Sequence, residues 1–360
     1  MEARVQGDII QFGIIGTGMM GCEHIRNLTL VPGVRVRAIA DPDARSRGLG
    51  KRAAGGDVEE YEDYRELLTR APIDAVVIAT PNFTHYEVLQ AVLDSGKHVL
   101  VEKPLCTEIE HCLRAMEAVA RHRGVVWVGM EYRFMRPVAR LIEEVRKGAV
   151  GRIRMIAIRE HRFPFLRKVG DWNRFSRNTG GTLVEKCCHF FDLMNLITQQ
   201  RPTLVYASGG MDVNHLDERY GGETPDILDN AYVIVDFERG ARGLLDLCMF
   251  AENSTHEMEI AATGDRGKAE AFLPKHELVL TRRDCNEPTM TRFEVDPRAR
   301  ESGAHHGSTL LEHLAFRDAI RTGGRPLVTV EDGALAVAVG TAAELSVKER
   351  RPVALRELGF

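Results

Sequence analysis

The chain has 360 residues, 44% of them hydrophobic and 28% charged, with a formal net charge of −4. That length exceeds what one small core organises, so two domains are expected. A charge this close to neutral, with no long run of Lys and Arg, excludes the electrostatic footprint of a nucleic-acid or anionic-membrane binder and leaves small molecules and copies of the chain itself as partners.

The opening stretch MEARVQGDIIQFGII has no basic region leading into an uninterrupted apolar run. Nowhere do about 18 apolar residues follow one another, so a cytoplasmic protein is expected. From about Asp8 to Met130, apolar β-rich runs (IIQFGIIG, VRVRAIAD, DAVVIATP, HVLVEKP, VVWVGM) alternate with segments of 3.6-residue period (MMGCEHIRNL, YRELLTR, YEVLQAVLDSG, EHCLRAMEAVARHRG). Strand and helix in alternation predict a parallel sheet wound on both faces. The first strand runs into Gly16-Thr17-Gly18-Met19-Met20-Gly21 and then a helix. Glycines so placed permit a tight turn, approach of backbone to a pyrophosphate and close helix packing, with the free helix amides facing the phosphates. The second strand ends at Asp41, about 20 residues after Gly21, where a carboxylate accepts ribose hydroxyls and repels a 2′-phosphate. NAD is therefore favoured over NADP, although Arg45 and Arg47 soften that preference.

Two further strand ends carry polar residues where ligands sit in a doubly wound sheet. One is ATPNFTH, with Thr80, Pro81, Asn82 and His85; the other is VEKPL, with Glu102, Lys103 and Pro104. Beyond Gly151 come RIRMIAIRE, TLVYASGGM, AYVIVDFERGARGLLDLCMF, HEMEIAATG, ELVLTRR and TRFEVD, which read as strands, the third as a hairpin across Arg239-Gly240. Two helix-like segments, TLLEHLAFRDAIRTGG and EDGALAVAVGTAAELSVKER, close the chain.

The stretch GGTLVEKCCHFFDLMN, from Gly180 to Asn195, concentrates Glu185, Cys187, Cys188, His189 and Asp192. On a helix Glu185, His189 and Asp192 share one side, whereas the adjacent Cys187 and Cys188 diverge by about 100°. The spacing matches no common zinc motif, and the seven cysteines contain no C-x-x-C pair. No metal is expected, and the vicinal cysteines read as packing residues. That leaves a catalytic helix.

G-x-G-x-x-G, ATPNFTH and EKP in this order, followed by GG and the Glu-x-x-x-His-x-x-Asp pattern, resemble the Gfo/Idh/MocA oxidoreductases, relatives of glucose-fructose oxidoreductase and inositol dehydrogenase, over nearly the whole chain. The resemblance implies an α/β protein: an N-terminal Rossmann doubly wound parallel sheet (residues 1–130) followed by a C-terminal α/β domain with a large, mostly antiparallel sheet (131–360), the final helices packing back on the first domain. It implies a homodimer or homotetramer formed through that sheet. The implied activity is NAD-dependent oxidation of a hydroxyl of a sugar, cyclitol or sugar acid. Two alternatives are an NAD-dependent glycosidase without net redox and a non-catalytic dinucleotide-binding sensor.

On this resemblance Lys103 touches the reacting hydroxyl, Glu102 lies near the nicotinamide ribose, Thr80, Pro81 and Asn82 line the nicotinamide half, and His85 occupies a recurring position. Glu185 and His189 reach the substrate from the other side, with Glu185 setting the His189 tautomer. Trp172 and Arg174 belong to a substrate-side loop. Glu185 stands where relatives carry Asp. Lys186 adds a cation that either meets a carboxylated substrate or pairs with a carboxylate such as Glu185. Lys103 and His189 are the two candidate bases; a Lys beside oxidised nicotinamide is expected to have a lowered pKa. The bond before Pro104 is expected to be cis.

Overall fold

A computed structural model of the chain describes residues 9–300, 302–303 and 305–360. The first half comprises β1 (Ile10–Ile15), α1 (Met19–Thr29), β2 (Val34–Ala40), α2 (Ala44–Ala53), β3 (Glu59–Tyr61), α3 (Tyr64–Arg70), β4 (Ala75–Ile78), α4 (His85–Asp94), β5 (His98–Glu102), α5 (Ile109–Val119) and β6 (Val126–Gly129). Their strands form a six-stranded parallel sheet in the order β3-β2-β1-β4-β5-β6. The chain reverses its direction of winding between β1 and β4, which opens a crevice at the strand ends. β4 is AVVI and wholly buried, as a central parallel strand covered on both faces must be.

Sequence periodicity missed α2 and β3. The helix reads ARSRGLGKRA, with two glycines and hardly an apolar face, and it forms because Asp43 caps it by accepting the Ser46 N–H at 2.7 Å. β3 has only three residues and pairs with β2 at the sheet's edge.

The second half begins with α6 (Arg136–Arg146) and β7 (Ile153–His161). Then come α7 (Ser176–Thr179), α8 (Thr182–Glu185), α9 (Cys188–Thr198), β8 (Pro202–Gly210), β9 (Asn230–Phe237), β10 (Arg242–Cys248), β11 (Met258–Gly264), β12 (Gly267–Leu273), β13 (Glu277–Arg282), β14 (Thr289–Arg292), α10 (Pro297–Arg300), α11 (Ser308–Thr322), α12 (Val330–Glu349) and β15 (Val353–Ala354). Nine strands align as β14-β13-β12-β11-β7-β10-β9-β8-β15, antiparallel except where β10 runs beside β7. The expected hairpin turns at Gly240, which holds φ +81, and the Phe237 N–H donates to the Ala241 carbonyl. β12 was not foreseen, because GKAEAFL reads as half polar. TRFEVD is a strand only through Arg292: its partner β13 begins at Glu277, opposite Arg292, so Glu294 to Asp296 have nothing to pair with.

One face of this sheet is covered by α9 and α12, and α12 also packs on α5 and β6 of the first half. α11 packs on α1. α12 starts with a capping box between Thr329 and Asp332. The other face is open and carries Met155, Tyr206, Tyr232, Ile234 and Leu244 exposed. Among the described residues no helix is long and apolar enough to cross a membrane.

Candidate active site

Three glycines shape the turn after β1, in two different ways. Gly16 holds φ +88, and a Cβ on it would stand 2.6 Å from the Ala79 carbonyl oxygen; one on Gly21 would stand 1.9 Å from the Gly16 carbonyl oxygen. Those two are demanded by the chain's packing on itself. Gly18 is different, with φ −67 and nothing within 4 Å of a Cβ. Its missing side chain leaves clear the space before the first amides of α1, at Met19 and Met20, where no side chain caps the helix. An uncapped helix start facing open space suits a pyrophosphate.

Asp41 follows β2 and is held toward this turn. Its Oδ2 accepts the Thr17 N–H at 2.8 Å and its Oδ1 the Asp43 N–H at 2.9 Å. Arg47 donates to the carbonyls of Asp41 and Pro42 at 2.7 and 3.0 Å, which engages its guanidinium with the backbone; Arg45 is exposed.

At the end of β4, Asn82 is buried and its Nδ2 has no partner among the described residues. A buried, unpaired donor is costly unless a ligand accepts from it, and its position fits the nicotinamide half of a dinucleotide. Thr80 and Pro81 line the same turn, Thr80 accepting from the Thr84 hydroxyl at 2.8 Å. His85 and Glu102 are both engaged in hydrogen bonds within the protein. His85 is fully buried, its Nδ1 at 2.7 Å from the Pro104 carbonyl and its Nε2 at 3.1 Å from that of Thr80, so its ring ties the β4 and β5 ends together. Glu102 engages His24 Nε2 with one oxygen at 2.8 Å and the Lys103 N–H with the other at 3.0 Å. His24 in turn meets His313 at 2.9 Å. Burial alone would raise the Glu102 pKa, but the hydrogen bond and charge of His24 and the charge of Lys103 hold it down at about 2.

The Lys103–Pro104 bond is cis, as is Leu273–Pro274. Lys103 reaches across to the second half and donates from Nζ to the Glu185 carbonyl at 3.0 Å. The segment holding Glu185 and His189 is not one helix: α8 stops at Glu185 and α9 starts at Cys188, with Lys186 and Cys187 in a turn between them. Lys103 therefore meets a carbonyl at a helix end, which also accepts from the Cys188 thiol at 3.6 Å. Glu185 and His189 are both buried, and Oε2 of the one and Nδ1 of the other have no partner among the described residues. The Nη1 of Arg174 and the Oε2 of Glu131 are likewise buried without a partner among the described residues.

The His189 ring stacks on Tyr132, centroids 4.0 Å apart and planes 3° apart. Its Nε2 lies 3.5 Å from Oε1 of Glu131. That contact overturns the expectation that Glu185 sets the His189 tautomer: the carboxylate at the imidazole is Glu131. Burial, then the charge of Lys103 and other cations, push the His189 pKa well below its ordinary value, so the ring is neutral and able to accept a proton. The free protein itself raises the Lys103 pKa. Burial lowers its pKa, yet Cys188, Glu185, Glu102 and Glu131 raise it further, so the free protein holds it as ammonium. Cys188 is itself pushed up to about 12 by burial and stays a thiol at neutral pH, so the counter-charge comes from the carboxylates, Glu102 foremost, which is held down at about 2.

Lys186 is partnered within the protein. Its buried ammonium donates to the Tyr132 hydroxyl at 2.7 Å and pairs with Glu160, not Glu185, at 2.8 Å, so its charge is balanced inside the protein. Arg174 is also buried, paired with Glu218 at 2.9 Å and donating to the Phe165 carbonyl at 3.3 Å, which fixes the loop before α7. Its charge still acts on Glu185. Trp172 sits on that loop edge-on to Phe83 of the first half, centroids 6.4 Å apart. Asp192 points away from the site into a bidentate pair with Arg133, whose other contacts are the Leu327 carbonyl and Asp332. Cys187 and Cys188 are free and buried. Among the described residues no group of three or more His, Cys, Asp and Glu is placed to hold a metal.

Sequence reasoning passed over Glu131, Glu160 and Lys168. Glu131 was findable, since it follows the end of β6 as Lys103 follows the end of β5. Glu160 lies on β7 and Lys168 in the loop beyond it, where Lys168 comes within range of the charges of Glu185 and Lys103. No local pattern marks either one.

Two family models cover most of the chain: the oxidoreductase family's NAD-binding Rossmann fold at residues 10–130 and its C-terminal alpha/beta domain at 142–355. The myo-inositol 2-dehydrogenase of Thermotoga maritima is 28% identical over 353 residues, 97% of this chain and 99% of that protein. Inositol 2-dehydrogenase 2 of Saccharopolyspora erythraea is 34% identical over 244 residues, 67% of this chain and 66% of that one. Among solved structures, a probable dehydrogenase from Thermotoga maritima superimposes with a TM-score of 0.79 at 27% identity, covering 97% of this chain and 100% of the other. Levoglucosan dehydrogenase in complex with NADH gives 0.83 at 22% identity, covering 96% and 99%, and shares the fold. The chain belongs to the Gfo/Idh/MocA oxidoreductase family, with its NAD-binding domain first and its α/β domain second.

Proposed function

We propose that the protein is an NAD-dependent dehydrogenase that oxidises a hydroxyl of a cyclitol, sugar or sugar acid, with Lys103 and His189 handling the proton. The observation that carries this reading is the meeting of the two halves: Lys103 donates to the Glu185 carbonyl and its charge acts on both Glu185 and His189, whose buried Oε2 and Nδ1 have no protein partner among the described residues. A polyol supplies both donors and acceptors for such atoms. The nicotinamide, when bound, takes the hydride from the substrate carbon.

The chain's own residues divide the remaining work. Neutral His189 is the base, taking the hydroxyl proton at Nδ1, because its pKa is held low while that of Lys103 is held high. Lys103 donates a hydrogen bond to the same oxygen and stabilises the charge that develops there. Glu185 accepts from a neighbouring hydroxyl, and Trp172 closes the loop over the cleft. Lys168, rather than Lys186, is the cation that keeps a carboxylated sugar among the candidates. Asp41, with Arg47 engaged elsewhere, favours NAD over NADP. The apolar open sheet face, Tyr232 and Ile234 at its centre, is the surface we assign to a homodimer or homotetramer.

The test is a screen of cyclitols, aldoses and sugar acids with NAD and NADP, following cofactor reduction. Reduction of NAD by at least one polyol is expected. Glycoside hydrolysis without net reduction, or cofactor binding with neither reaction, contradicts the reading.

A further inference from the structure

One buried chain of titratable groups leads away from His189, and the proton handling described above does not use it. His189 Nε2 lies 3.5 Å from Glu131 Oε1, and that same oxygen lies 3.9 Å from His305 Nε2. His305 Nδ1 is 2.6 Å from Glu23 Oε1, which also accepts the Thr309 hydroxyl at 3.0 Å. Glu131 and His189 are almost fully buried, whereas the His305 side chain is 25% exposed, so the series runs from the sealed site to water. Glu131 Oε2 has no partner among the described residues. A buried carboxylate so poorly satisfied is costly as a mere structural group.

We propose that Glu131 positions His189 and receives its proton, passing it through His305 toward solvent. This rests on the dehydrogenase reading and adds the route by which the released proton leaves.

The substrate O–H bond breaks as its proton bonds to His189 Nδ1, and the electron pair of the adjacent C–H bond leaves as hydride to the oxidised nicotinamide. His189 then loses the proton on Nε2 to Oε1 of Glu131. His305, whose pKa the hydrogen bond to Glu23 raises against burial, gives its Nε2 proton to water and takes that of Glu131 at the same nitrogen. The separations of 3.5 and 3.9 Å belong to the protein alone; relay bonds of this kind shorten when substrate binds.

Facing Glu131 are Glu102 and Lys103 from the end of β5, Cys188 and His189 from α9, His305 from the segment before α11, Glu312 from α11, and Tyr132 of its own segment. Burial raises the Glu131 pKa, His305 and Lys103 lower it, Glu102 raises it, and the balance stands at about 7. Glu131 must be ionised to accept a proton, so the route opens as pH rises through that value.

The experiment compares wild type, Glu131→Gln and Glu131→Asp by the pH dependence of kcat for NAD reduction, and by NMR titration of the His189 and His305 rings in the free proteins. Glu131→Gln should lower kcat on the order of tenfold or more at about pH 8, with KM and NAD affinity unchanged. The deficit should shrink toward parity at about pH 5.5, where wild-type Glu131 is protonated, and Glu131→Asp should recover part of the loss. Both ring titrations should shift in Glu131→Gln. A deficit equal at both pH values, or ring titrations that do not move, overturns the relay while leaving the dehydrogenase intact. Failure of the wild type to reduce NAD with any polyol overturns the dehydrogenase reading and the relay with it.

Discussion

The cofactor turn and the His189 cluster are built from opposite materials. Around Gly16, Gly18 and Gly21 the functional groups are backbone amides, and the side chains matter mostly by being absent. Around His189 they are side chains taken from β5, α9, the turn after β6 and the segment before α11, nearly all buried and balanced against one another. The charges of the first region are fixed partial charges of peptide groups, which do not titrate. In the second, each ionisable group sets the protonation of the next, so a single substitution is felt along the whole cluster.

Substitutions that act on one region and spare the other sharpen this contrast. The largest effect is expected from Lys103→Ala and His189→Ala, each lowering kcat by roughly 10² to 10⁴. NAD affinity, measured by calorimetry, should stay within a few-fold; a variant with full turnover would remove its residue from the mechanism. Next comes Arg133→Met, which strands the Asp192 carboxylate without its bidentate partner. A loss of about 3–5 kcal/mol in denaturant unfolding is expected, and a loss below about 1 kcal/mol would show that the pair is not structural.

Gly18→Leu is the converse case. Its backbone is unstrained and its Cβ meets nothing, so Tm should hold while NAD affinity falls on the order of tenfold or more. A matching fall in Tm, or unchanged affinity, would mean that the clear space is not the pyrophosphate's.

The smallest expected effect concerns pH. Partly buried Glu344 accepts the Leu183 N–H at 2.8 Å, and desolvation raises its pKa to about 7. The native state then holds a proton that the unfolded chain releases between pH 4.5 and about 7. The stability present below that window is lost as pH rises through it, with a slope of at most about 1.4 kcal/mol for each pH unit crossed. Glu344→Gln should therefore gain stability relative to wild type as pH goes from about 5 to about 8; a difference in Tm that is flat with pH would contradict this.

The same contrast explains what could be read from the sequence. Backbone-built features leave local traces: glycines at fixed spacing, an acid at the end of β2, a Lys-Pro at the end of β5. All of these fell where the periodicity of the chain put them. The candidate catalytic stretch was readable as residues but not as geometry, since nothing in GGTLVEKCCHFFDLMN announces a break between Glu185 and Cys188. Partnership was the least legible. Lys186 looked available until β7 brought Glu160 beneath it, and Glu131 was overlooked because the residue it serves lies far along the chain, beyond β7. Sheet register decides such pairings, and register is a property of the folded sheet, not of any local pattern.

Turnover by this route depends on Lys103 and His189 bracketing one oxygen. A crystal structure of the ternary complex with NADH and a cyclitol that the protein oxidises tests this most directly. The predicted result is a single hydroxyl oxygen within about 3.2 Å of both Lys103 Nζ and His189 Nδ1. A substrate that touches only one of them, or that binds with its reacting carbon turned away from both, would contradict it.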